Sequence, residues 1–465
     1  MSVSVILASQ SRPRRNLLVQ AGILPLIRVS QVDEPAALRH AAAARGVEDT
    51  SRIPPADQVQ ILANAKAQAI AGMYGQIART ARNATGQLVE SLPLEDGFGT
   101  VARTMPIREA LRNHEGMIAA SRGPIVIGCD SMFEFDGAVY GKPRTPQVAR
   151  ERLRAMSGRE GTLWTGHCVI DVATGETARA TSRATVRFSR MADAQIDAYI
   201  ASGEPLQVAG CFTLEGLGAP FIDSIDGDPS GIIGLSLPTV RRLVEQLGFE
   251  WTDLWNLVTE GGVHPGVPLE DTQHDTDAAK NATTSAGHSA SDPAKQAPKD
   301  NVHQPGDGWV DCPCGHRHWG RNGASGVLLA RRDAKTGDVT QVLLQHRALW
   351  SAEGGTWGAP GGATADGESP LEGALRESFE EANIRPEDID VVGAYRESHG
   401  AWSYTTVLAF EKPGHTVIPR ANDDESLETC WVSVPSVGSL TLLSAMRRDW
   451  DGLIARLQKI SHSMR

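Results

Sequence analysis

GATADGESPLEGALRESFEEANI, the stretch from Gly362 to Ile384, predicts a loop that runs into a helix with an acidic face. In that helix Glu377, Glu380 and Glu381 stand at positions i, i+3 and i+4, so their carboxylates lie on one side. Three negative charges this close repel one another unless a cation lies between them, and carboxylate oxygens suit Mg²⁺ or Mn²⁺. We therefore expect Glu380 and Glu381 to bind a divalent metal ion, with Glu377 as a third ligand or as the catalytic base.

Both ends of this helix carry capping signals. Ser369 precedes Pro370 and is followed by Glu372, which is the pattern of a capping box with proline at the first helical position. Asn383 stands where the helix should end, and asparagine tolerates the left-handed conformation of a C-terminal cap. A solvated acidic helix face is the alternative interpretation, but it does not explain the fixed spacing or the segment WGAPGG at 357–362.

The spacing of these residues resembles the Nudix box. Gly362 is followed after five intervening residues by Glu368, and after seven more by Arg376. The resemblance covers about residues 309–457 and implies a mixed sheet packed between helices. It also implies hydrolysis of a nucleoside diphosphate that is linked to another group. We expect Arg376 to pair with Glu368, which would fix the loop onto the helix.

Flanking segments predict further parts of this domain. The apolar segments 327–329 and 342–344 read as a hairpin across a turn at 333–338. Near the acidic loop that follows, Glu425 or Glu428 is a candidate for a second metal ligand or a base.

The whole chain has 465 residues, more than one ordinary domain needs, so two or three domains are expected. Its hydrophobic content of 41% is that of a globular protein. The formal net charge of −11 argues against nucleic acid or a membrane surface as partner, although a local basic pocket still serves nucleotides. Six scattered cysteines indicate a reducing compartment, and no apolar run is long enough for a signal peptide or a membrane span. We expect a cytoplasmic protein.

Composition divides the chain into two α/β domains and a tether. The domains are predicted at residues 1–258 and 309–465, with a flexible linker at 259–308. The linker is rich in small and polar residues, which cannot offset the entropy of ordering by burial. Residues 74–122 mix helix-like pieces with a polar stretch, and we interpret them as an insertion in the first domain, not as a domain of their own.

The N-terminal domain opens with a strand that leads into a basic corner. The apolar run 3–8 is followed by SQSRPRR at 9–15 and then by an amphipathic segment. Backbone N–H groups at a helix start and guanidinium groups both suit phosphate. The apolar strand 125–127 ends close to Asp130, so this carboxylate is expected at a strand end, where open α/β sheets build their sites. It could deprotonate a water molecule or hold a divalent ion that does so.

Ordered motifs over about residues 4–249 resemble the Maf family of nucleoside triphosphate pyrophosphatases. They include VDE at 32–34, GCDS at 128–131, GKP at 141–143, SGEPL at 202–206 and DGDPS at 226–230. The resemblance implies an inosine-triphosphatase-like fold that cleaves nucleoside triphosphates to monophosphate and pyrophosphate, with Asp130 as proton acceptor and Glu34 on a shared metal ion. The substrate-binding residues that it implies are Ser9, Arg14, Lys66, Ser131, Lys142 and Glu215. Taken singly, each basic residue is as readily explained as a surface charge.

The chain departs from the Maf pattern at three positions. Pro13 replaces the first arginine of the usual Ser-Pro-Arg-Arg, a position linked to base choice, whereas Arg14 matches the second. Val208 replaces a common lysine, so one phosphate contact is expected to be missing. Glu215 stands where the branch that prefers dTTP and UTP has glutamine. A glutamate can accept from a guanine-type N–H edge or pair with a methylated, positively charged base, so base preference stays open.

Ahead of the Nudix-like segment, seven residues contain four potential metal ligands: Cys312, Cys314, His316 and His318. Thiolates and imidazoles at this density suggest zinc. The spacing lacks the paired two-residue knuckles of strong zinc motifs, which favours a structural turn that leads into a strand at 326–330. Both interpretations stay open.

Together, the two resemblances predict a bifunctional enzyme that removes non-standard nucleotides. Its substrates would be nucleoside triphosphates and nucleoside diphosphate derivatives, and its cofactor a divalent cation, Mg²⁺ or Mn²⁺. The alternative is a nucleotide-sensing regulator of septum formation, since Maf-like proteins are also associated with septum arrest and Pro13 and Val208 leave room for a pocket that only binds. A homodimer stays open as well.

Overall fold

A computed structural model describes residues 3–93, 100–107, 110, 123–259, 262–263, 304–422 and 425–464. The chain divides into two compact units, one of residues 1–72 and 122–269, the other of residues 73–121 and 270–465. Most of the predicted linker at 259–308, and parts of the predicted insertion at 74–122, lie outside the described residues. Within the described part of the chain, none of the helices has the length and apolar character that a membrane span needs.

The α-helices of the described residues are α1 (Arg12–Gln20), α2 (Glu34–Ala44), α3 (Pro55–Asn83), α4 (Pro146–Met156), α5 (Asp193–Ala201), α6 (Pro229–Ile233), α7 (Leu237–Gln246), α8 (Pro370–Ala382) and α9 (Ser444–Ser463). The strands are β1 (Val5–Leu7), β2 (Leu26–Ile27), β3 (Gln87–Pro93), β4 (Thr100–Pro106), β5 (Ile125–Phe135), β6 (Ala138–Tyr140), β7 (Glu160–Asp171), β8 (Thr177–Phe188), β9 (Ile222–Gly227), β10 (Val258–Thr259), β11 (Gly262–Val263), β12 (Trp309–Asp311), β13 (Arg317–Trp319), β14 (Ala324–Arg332), β15 (Val339–Arg347), β16 (Trp357–Gly358), β17 (Gly361–Ala363), β18 (Ile389–Ser398), β19 (Ser403–Glu411) and β20 (Ser426–Ser433).

The first unit is built on a sheet in the order β2-β1-β5-β7-β8-β9, with β6 paired to β5. β1 runs parallel to both of its neighbours, and the pairs from β5 to β9 are antiparallel. The expected strand-end position of Asp130 is wrong, because β5 continues to Phe135 while it pairs with β7. The parallel partner β1, however, ends in register with Ile127. Asp130 therefore emerges where β5 extends past the carboxyl end of β1.

Helix α3 lies directly on this sheet at two glycines. A Cβ atom at Gly128 would collide with the backbone of Ala63, and one at Gly166 would collide with the backbone of the same helix one turn earlier. Glycine at both positions is what lets the helix backbone approach the strands so closely. Lys66 stands three residues after Ala63, and Asp130 is the register partner of Gly166. The close packing thus brings this lysine within reach of Asp130.

Apolar clusters hold the first unit around that contact. One of them contains Phe133, Phe188 and Phe212, whose rings meet edge to face with centroids 5.0 to 5.9 Å apart. Aromatic pairs in this arrangement contribute about 0.5–1.5 kcal/mol beyond their burial. Because Phe133 lies on β5, the cluster fixes the strand that carries Asp130.

The second unit has a mixed sheet in the order β16-β15-β14-β19-β18-β3-β4, with β17 on β14 and β20 on β15. The predicted hairpin is confirmed as the antiparallel pair β14 and β15, and the parallel pair β14 and β19 makes the sheet mixed. β3 and β4 come from the segment 74–122, with β3 parallel to β18 and β4 antiparallel to β3. The segment that we interpret as an insertion in the first domain therefore extends the sheet of the second unit.

A buried histidine makes the first unit sensitive to acid. His167, on β7, is inaccessible to solvent, and its Nε2 accepts the backbone N–H of Ser236 at 2.9 Å. Burial lowers the pKa of His167 from 6.5 to about 4. Between these values the unfolded chain binds a proton that the folded chain does not, so stability is lost as the pH falls from 6.5 towards 4. The total contribution is about 3 kcal/mol.

We expect His167→Gln to flatten this pH dependence, because an amide oxygen can still accept from Ser236 but does not titrate. The measurement is the free energy of unfolding from urea titrations at several pH values between 7 and 4. His40→Gln, at an exposed position on α2, is the control and should keep the wild-type slope. Equal slopes for all three proteins would contradict the assignment.

Candidate active sites

Helix α8 begins and ends where its sequence predicts. The hydroxyl of Ser369 accepts the backbone N–H of Glu372 at 3.3 Å, and the carboxylate of Glu372 accepts the N–H of Ser369 at 2.8 Å. Asn383 has a φ of 57°, the left-handed conformation of a C-terminal cap. The capping box and the asparagine cap are both confirmed. They fix the span of the helix that carries the acidic face.

Arg376 is the centre of a buried ionic network on α8. Its guanidinium group donates to the two oxygens of Glu368 at 2.6 and 2.8 Å, and to the carbonyl of Ala363 at 3.0 Å. The expected pair of Arg376 and Glu368 is confirmed, and it ties the preceding loop to the helix. The Nη1 atom also donates to Glu377 at 2.6 Å and to Glu380 at 3.0 Å. Burial alone would lower the pKa of Arg376, but these carboxylates hold it well above its ordinary value.

The third carboxylate of the acidic face contacts the glycine-rich loop. Glu381 is 2% exposed and accepts the backbone N–H of Gly361 at 2.7 Å. A Cβ atom at Gly362 would stand 2.9 Å from the carboxylate carbon of Glu377, so this carboxylate lies directly against the loop backbone. The glycine-rich loop therefore lies against Glu381 and Glu377, two of the three carboxylates of the acidic face.

This donor set fits a divalent cation. The side chains of Glu377 and Glu380 are 17% and 27% exposed, so an ion can reach them from solvent. Arg376 supplies one positive charge to three carboxylates, and Glu381 adds a fourth, so the cluster keeps a net negative charge. Carboxylate oxygens of this kind are what hard divalent ions bind. The residues present therefore agree with a divalent metal site on α8.

The two glutamates proposed for a second metal lie on or beside β20. Glu428 is exposed and stands opposite His346 of β15. Glu425 precedes the strand, and its carbonyl accepts the N–H of Ala348 at 2.9 Å. A role as ligand or base stays a prediction for both.

In the first unit, one lysine joins two carboxylates. Lys66 Nζ lies 2.7 Å from Asp130 Oδ1 and 2.7 Å from Glu34 Oε1. The side chains of Lys66 and Asp130 are each 13% exposed, whereas that of Glu34, in the first turn of α2, is 47% exposed. Three residues that the sequence singles out thus meet from three separate elements.

The electrostatics of this group suit proton transfer. Burial raises the pKa of Asp130 above its ordinary value, although Lys66 and Arg14 act in the opposite direction. Burial would lower the pKa of Lys66, but the charges of Asp130 and Glu34 outweigh it and the pKa is raised. A carboxylate with a raised pKa is a stronger base than an exposed aspartate. The pair combines such a base with a lysine that stays positively charged.

Arg14 anchors the basic corner beside Asp130. Its Nη1 donates to Ser9 Oγ and to the carbonyl of Cys129, both at 3.1 Å. Its Nη2 donates to Ser131 Oγ at 3.1 Å, and its Nε donates to the carbonyl of Gly234 at 2.8 Å. The structure thus brings together Ser9, Arg14 and Ser131, as the sequence predicts.

Helix α1 starts at the same corner. Among the described residues, the side chain of its N-cap residue Ser11 makes no capping hydrogen bond. The first backbone N–H groups of a helix attract anions when no side chain caps them. The start of α1 therefore adds backbone N–H groups that suit an anion to this corner.

Lys142 and Glu215 lie apart from this group. Lys142 is exposed in the loop between β6 and α4, and Glu215 is exposed in the loop that precedes β9. Among the described residues, no hydrogen bond or ion pair joins either of them to the charged residues around Asp130. Their substrate-binding roles stay predictions.

Sequence reasoning gave no role to Thr165, Gly234 or Glu204. Thr165 Oγ1 lies 3.0 Å from Ser131 Oγ, and the dipeptide TG at 165–166 could have drawn attention to it. Gly234 contributes only a carbonyl group, which has no signature in the sequence.

Glu204 holds the loop that carries Glu215. Its carboxylate accepts the backbone N–H groups of Leu217 at 2.9 Å and Gly218 at 3.0 Å, and the hydroxyl of Tyr199 at 3.0 Å. Burial raises the pKa of Glu204, but these hydrogen bonds outweigh burial and lower it overall. An ionised carboxylate therefore organises this loop.

Two protein-family models match the chain. Residues 4–247 match that of Maf-like proteins, and residues 320–452 match that of the NUDIX domain. The Maf match includes Asp130 and the residues around it, and the NUDIX match includes the whole of α8.

Curated proteins and solved structures resemble the chain as well. It is 52% identical over 499 residues to a nucleoside triphosphate pyrophosphatase/Nudix hydrolase fusion protein of Bifidobacterium longum, with 99% of each chain covered. It is 44% identical to a nucleoside triphosphate pyrophosphatase of Leifsonia xyli, over 54% of this chain and 95% of that protein. A Nudix hydrolase from M. smegmatis, RenU, is 36% identical, covers 34% of this chain and 98% of its own, and gives a TM-score of 0.29.

Proposed function

The chain belongs to the nucleoside triphosphate pyrophosphatase/Nudix hydrolase fusion proteins, and from this premise we propose how its two sites divide the work. The first unit hydrolyses non-standard nucleoside triphosphates at Asp130. The second unit hydrolyses a nucleoside diphosphate derivative at the acidic face of α8. Each of the two sites cleaves a phosphoanhydride bond, so the chain as a whole is a bifunctional hydrolase.

The contact of Asp130 with Lys66 at 2.7 Å is the observation that carries the first assignment. Asp130 takes a proton from the water molecule that attacks the α-phosphorus. The bond to the oxygen bridging the α- and β-phosphates then breaks, so the products are a nucleoside monophosphate and pyrophosphate. Lys66 and Arg14 offset the negative charge of the triphosphate, which grows on the leaving group in the transition state. Glu34 would share a divalent metal ion with the substrate.

Glu377, Glu380 and Glu381 would hold Mg²⁺ or Mn²⁺ in the second unit. When bound, such an ion polarises a phosphoryl oxygen and lowers the pKa of a coordinated water molecule. Arg376 keeps Glu377 and Glu380 together on one side of α8, and the backbone N–H of Gly361 holds Glu381. Glu377 would act as a third ligand or as the base.

The substrate pool is proposed to be modified nucleotides. The loop held by Glu204 presents Glu215, a carboxylate that can accept from a guanine-type edge or pair with a methylated, cationic base. The presence of both hydrolase domains on one chain supports a shared pool. A division-linked role of the first unit would follow from removal of such nucleotides.

Glu381→Gln tests the second site in the full chain. We expect hydrolysis of the diphosphate substrate to fall by roughly 10²–10³-fold, because a charged oxygen is lost from the metal-binding set. Pyrophosphate release from triphosphates should not change. The glutamine oxygen can still accept from Gly361, so the helix keeps its place. The measurement is turnover with Mg²⁺ across a panel of normal, methylated and oxidised nucleotides.

Asp451→Asn, at an exposed position on α9, is the matched control and should behave as wild type. If Glu381→Gln hydrolysed every nucleotide of the panel at the wild-type rate, the acidic face of α8 would not be the second hydrolytic site.

A nucleotide sensor is the second candidate for the first unit. Val208 presents no charge where Maf-like proteins commonly have lysine, which favours a pocket that binds more than it turns over. Calorimetric binding of a triphosphate to the wild-type chain, without pyrophosphate release, would favour the sensor in septum formation. Steady-state pyrophosphate release would exclude it.

A further inference from the structure

Four potential zinc ligands converge where the hairpin of β12 and β13 meets the loop between β18 and β19. One ligand atom from each of Cys312, Cys314, His318 and His399 lies within 4.8 Å of the others. We propose that these four side chains bind a structural zinc ion, separate from the divalent metal site on α8.

Three of the ligands come from one hairpin. β12 pairs antiparallel with β13, with Val310 opposite His318, and the turn between the strands carries both cysteines. The backbone N–H of Cys312 donates to the carbonyl of His316 at 3.1 Å, and Gly315 has a φ of 85°, so the chain reverses sharply. The turn therefore brings the two thiols back beside the ring of His318.

The fourth ligand comes from the loop between β18 and β19. The ring centroid of His399 lies 4.8 Å from that of His318, and Cys312 Sγ lies 3.4 Å from the carbonyl oxygen of His399. Trp402 stacks on His318 at 4.1 Å with an interplanar angle of 10°. Its Nε1 in turn donates to the carbonyl of Gly320 at 3.0 Å. Ring packing therefore orients His318 in addition to its strand, and it also brings the ring of His399 against that of His318.

A carboxylate supports His399 from outside the cluster. Glu397 Oε1 lies 3.1 Å from His399 Nε2, and Glu397 is itself paired with Arg448. Histidines that bind zinc usually donate their other ring N–H to a carboxylate or a carbonyl, which fixes the ring and its tautomer. Here Nε2 of His399 lies on the side of Glu397, and Nδ1 is the ring nitrogen that would bind the ion.

The distances agree with tetrahedral zinc after a small adjustment. Bonds of about 2.3 Å to sulfur and about 2.0–2.1 Å to nitrogen place ligand atoms about 3.3–3.8 Å apart. Cys314 Sγ and His318 Nε2 are already 3.1 Å apart. The widest separation of the ligand atoms, 4.8 Å, enters this range when side-chain rotation moves the atoms by about 1 Å.

The chemistry of the donors separates this site from α8. Two sulfurs and two imidazole nitrogens select zinc, whereas a set of carboxylate oxygens selects Mg²⁺ or Mn²⁺. Four protein ligands also complete a tetrahedral shell, which leaves no position for a reacting water molecule. The proposed ion is therefore structural.

The hairpin has a reason to need such an ion. β12 and β13 have three residues each and pair only with one another among the described strands. A two-stranded hairpin is at best marginally stable in water. Zinc would join the hairpin to the β18–β19 loop. This explains why cysteine and histidine are concentrated in the hairpin.

The test uses the full chain, purified with its thiols reduced. Mass spectrometry of the metal content should find about one zinc ion per chain in the wild type. Cys314→Ser and His399→Gln should each lower that content several-fold, while His316→Gln, in the same turn but outside the cluster, should retain it. A chelator should lower the melting temperature of the wild type and of His316→Gln but not of Cys314→Ser.

Cobalt distinguishes this site from the carboxylate site in the same protein. Wild-type protein loaded with Co²⁺ should show a thiolate-to-cobalt charge-transfer band and the strong d–d bands of tetrahedral cobalt, which oxygen ligands do not give. Cys430→Ser, which removes a thiol outside the cluster, should keep both bands. This spectrum decides the question even if a ligand variant does not fold.

Three outcomes would overturn the proposal. They are wild-type protein with reduced thiols that neither contains zinc nor gives the charge-transfer band, full zinc content in both Cys314→Ser and His399→Gln, and a Cys312–Cys314 disulfide that accounts for both thiols in the intact mass.

Discussion

Asp130→Asn is expected to lower pyrophosphate release from nucleoside triphosphates by roughly 10²–10⁴-fold, the range for loss of a positioned general base. Asparagine keeps the size of the side chain, and its oxygen can still accept from Lys66. It cannot take the proton of the attacking water. The hydrolysis of diphosphate substrates by the second unit should not change.

The loss should appear in kcat and not in KM. Lys66 keeps its contact with Glu34, and Arg14 keeps its contacts with Ser9 and Ser131. The positive charges that bind the triphosphate therefore stay in place when Asp130 is replaced. An interaction that is made only in the transition state lowers kcat and kcat/KM together. Calorimetry on the variant should still detect triphosphate binding.

Asp136→Asn provides the matched control, since Asp136 follows the same strand but is exposed and pairs with Arg159. It should release pyrophosphate at the wild-type rate. Undiminished release by Asp130→Asn would show that another group takes the proton, and the contact with Lys66 would then be structural only.

Local features of the second domain could be predicted from sequence. The two caps of α8 depend on residues within three positions of the helix ends, so Ser369 and Asn383 are enough to predict them. The pair of Arg376 and Glu368 follows from the spacing of a recognisable motif. The hairpin of β14 and β15 needs only two apolar segments and a turn. In each case the physical cause lies within a short stretch of chain.

Contacts between distant segments could not be predicted in this way. Arg14 is held by the carbonyl of Gly234, which lies 220 residues further along the chain and has no side chain to signal it. β3 pairs with β18, although a parallel register leaves no mark in the composition of either strand. His399 joins the cysteine cluster only because the β18–β19 loop lies beside the hairpin of β12 and β13. The sequence predicts a strand end at Asp130 because the apolar run stops at Ile127, whereas the pairing of β5 with β7 continues to Glu134.

Arg376→Met is expected to lower the free energy of unfolding of the second unit by about 3–5 kcal/mol, the range for removal of one partner from a buried ion pair. The side chains of Arg376 and Glu368 are 3% and 1% exposed, so the variant would remove the guanidinium group that pairs with the Glu368 carboxylate away from water. Urea unfolding followed by tryptophan fluorescence measures this unit mainly, because seven of the ten tryptophans belong to it.

A second substitution distinguishes the effect of the Glu368 charge from the effect of the packing that is lost with Arg376. Glu368→Gln removes the charge, and its amide oxygen can still accept the N–H of Ala365, as the carboxylate does at 3.0 Å. The variant that combines Arg376→Met with Glu368→Gln should therefore be more stable than Arg376→Met alone. His462→Gln, which replaces one member of an exposed pair with Asp338, should cost no more than about 1 kcal/mol. If Arg376→Met cost as little as this control, or if Glu368→Gln added to its cost, Arg376 would not hold the loop onto α8 through the buried charge pair.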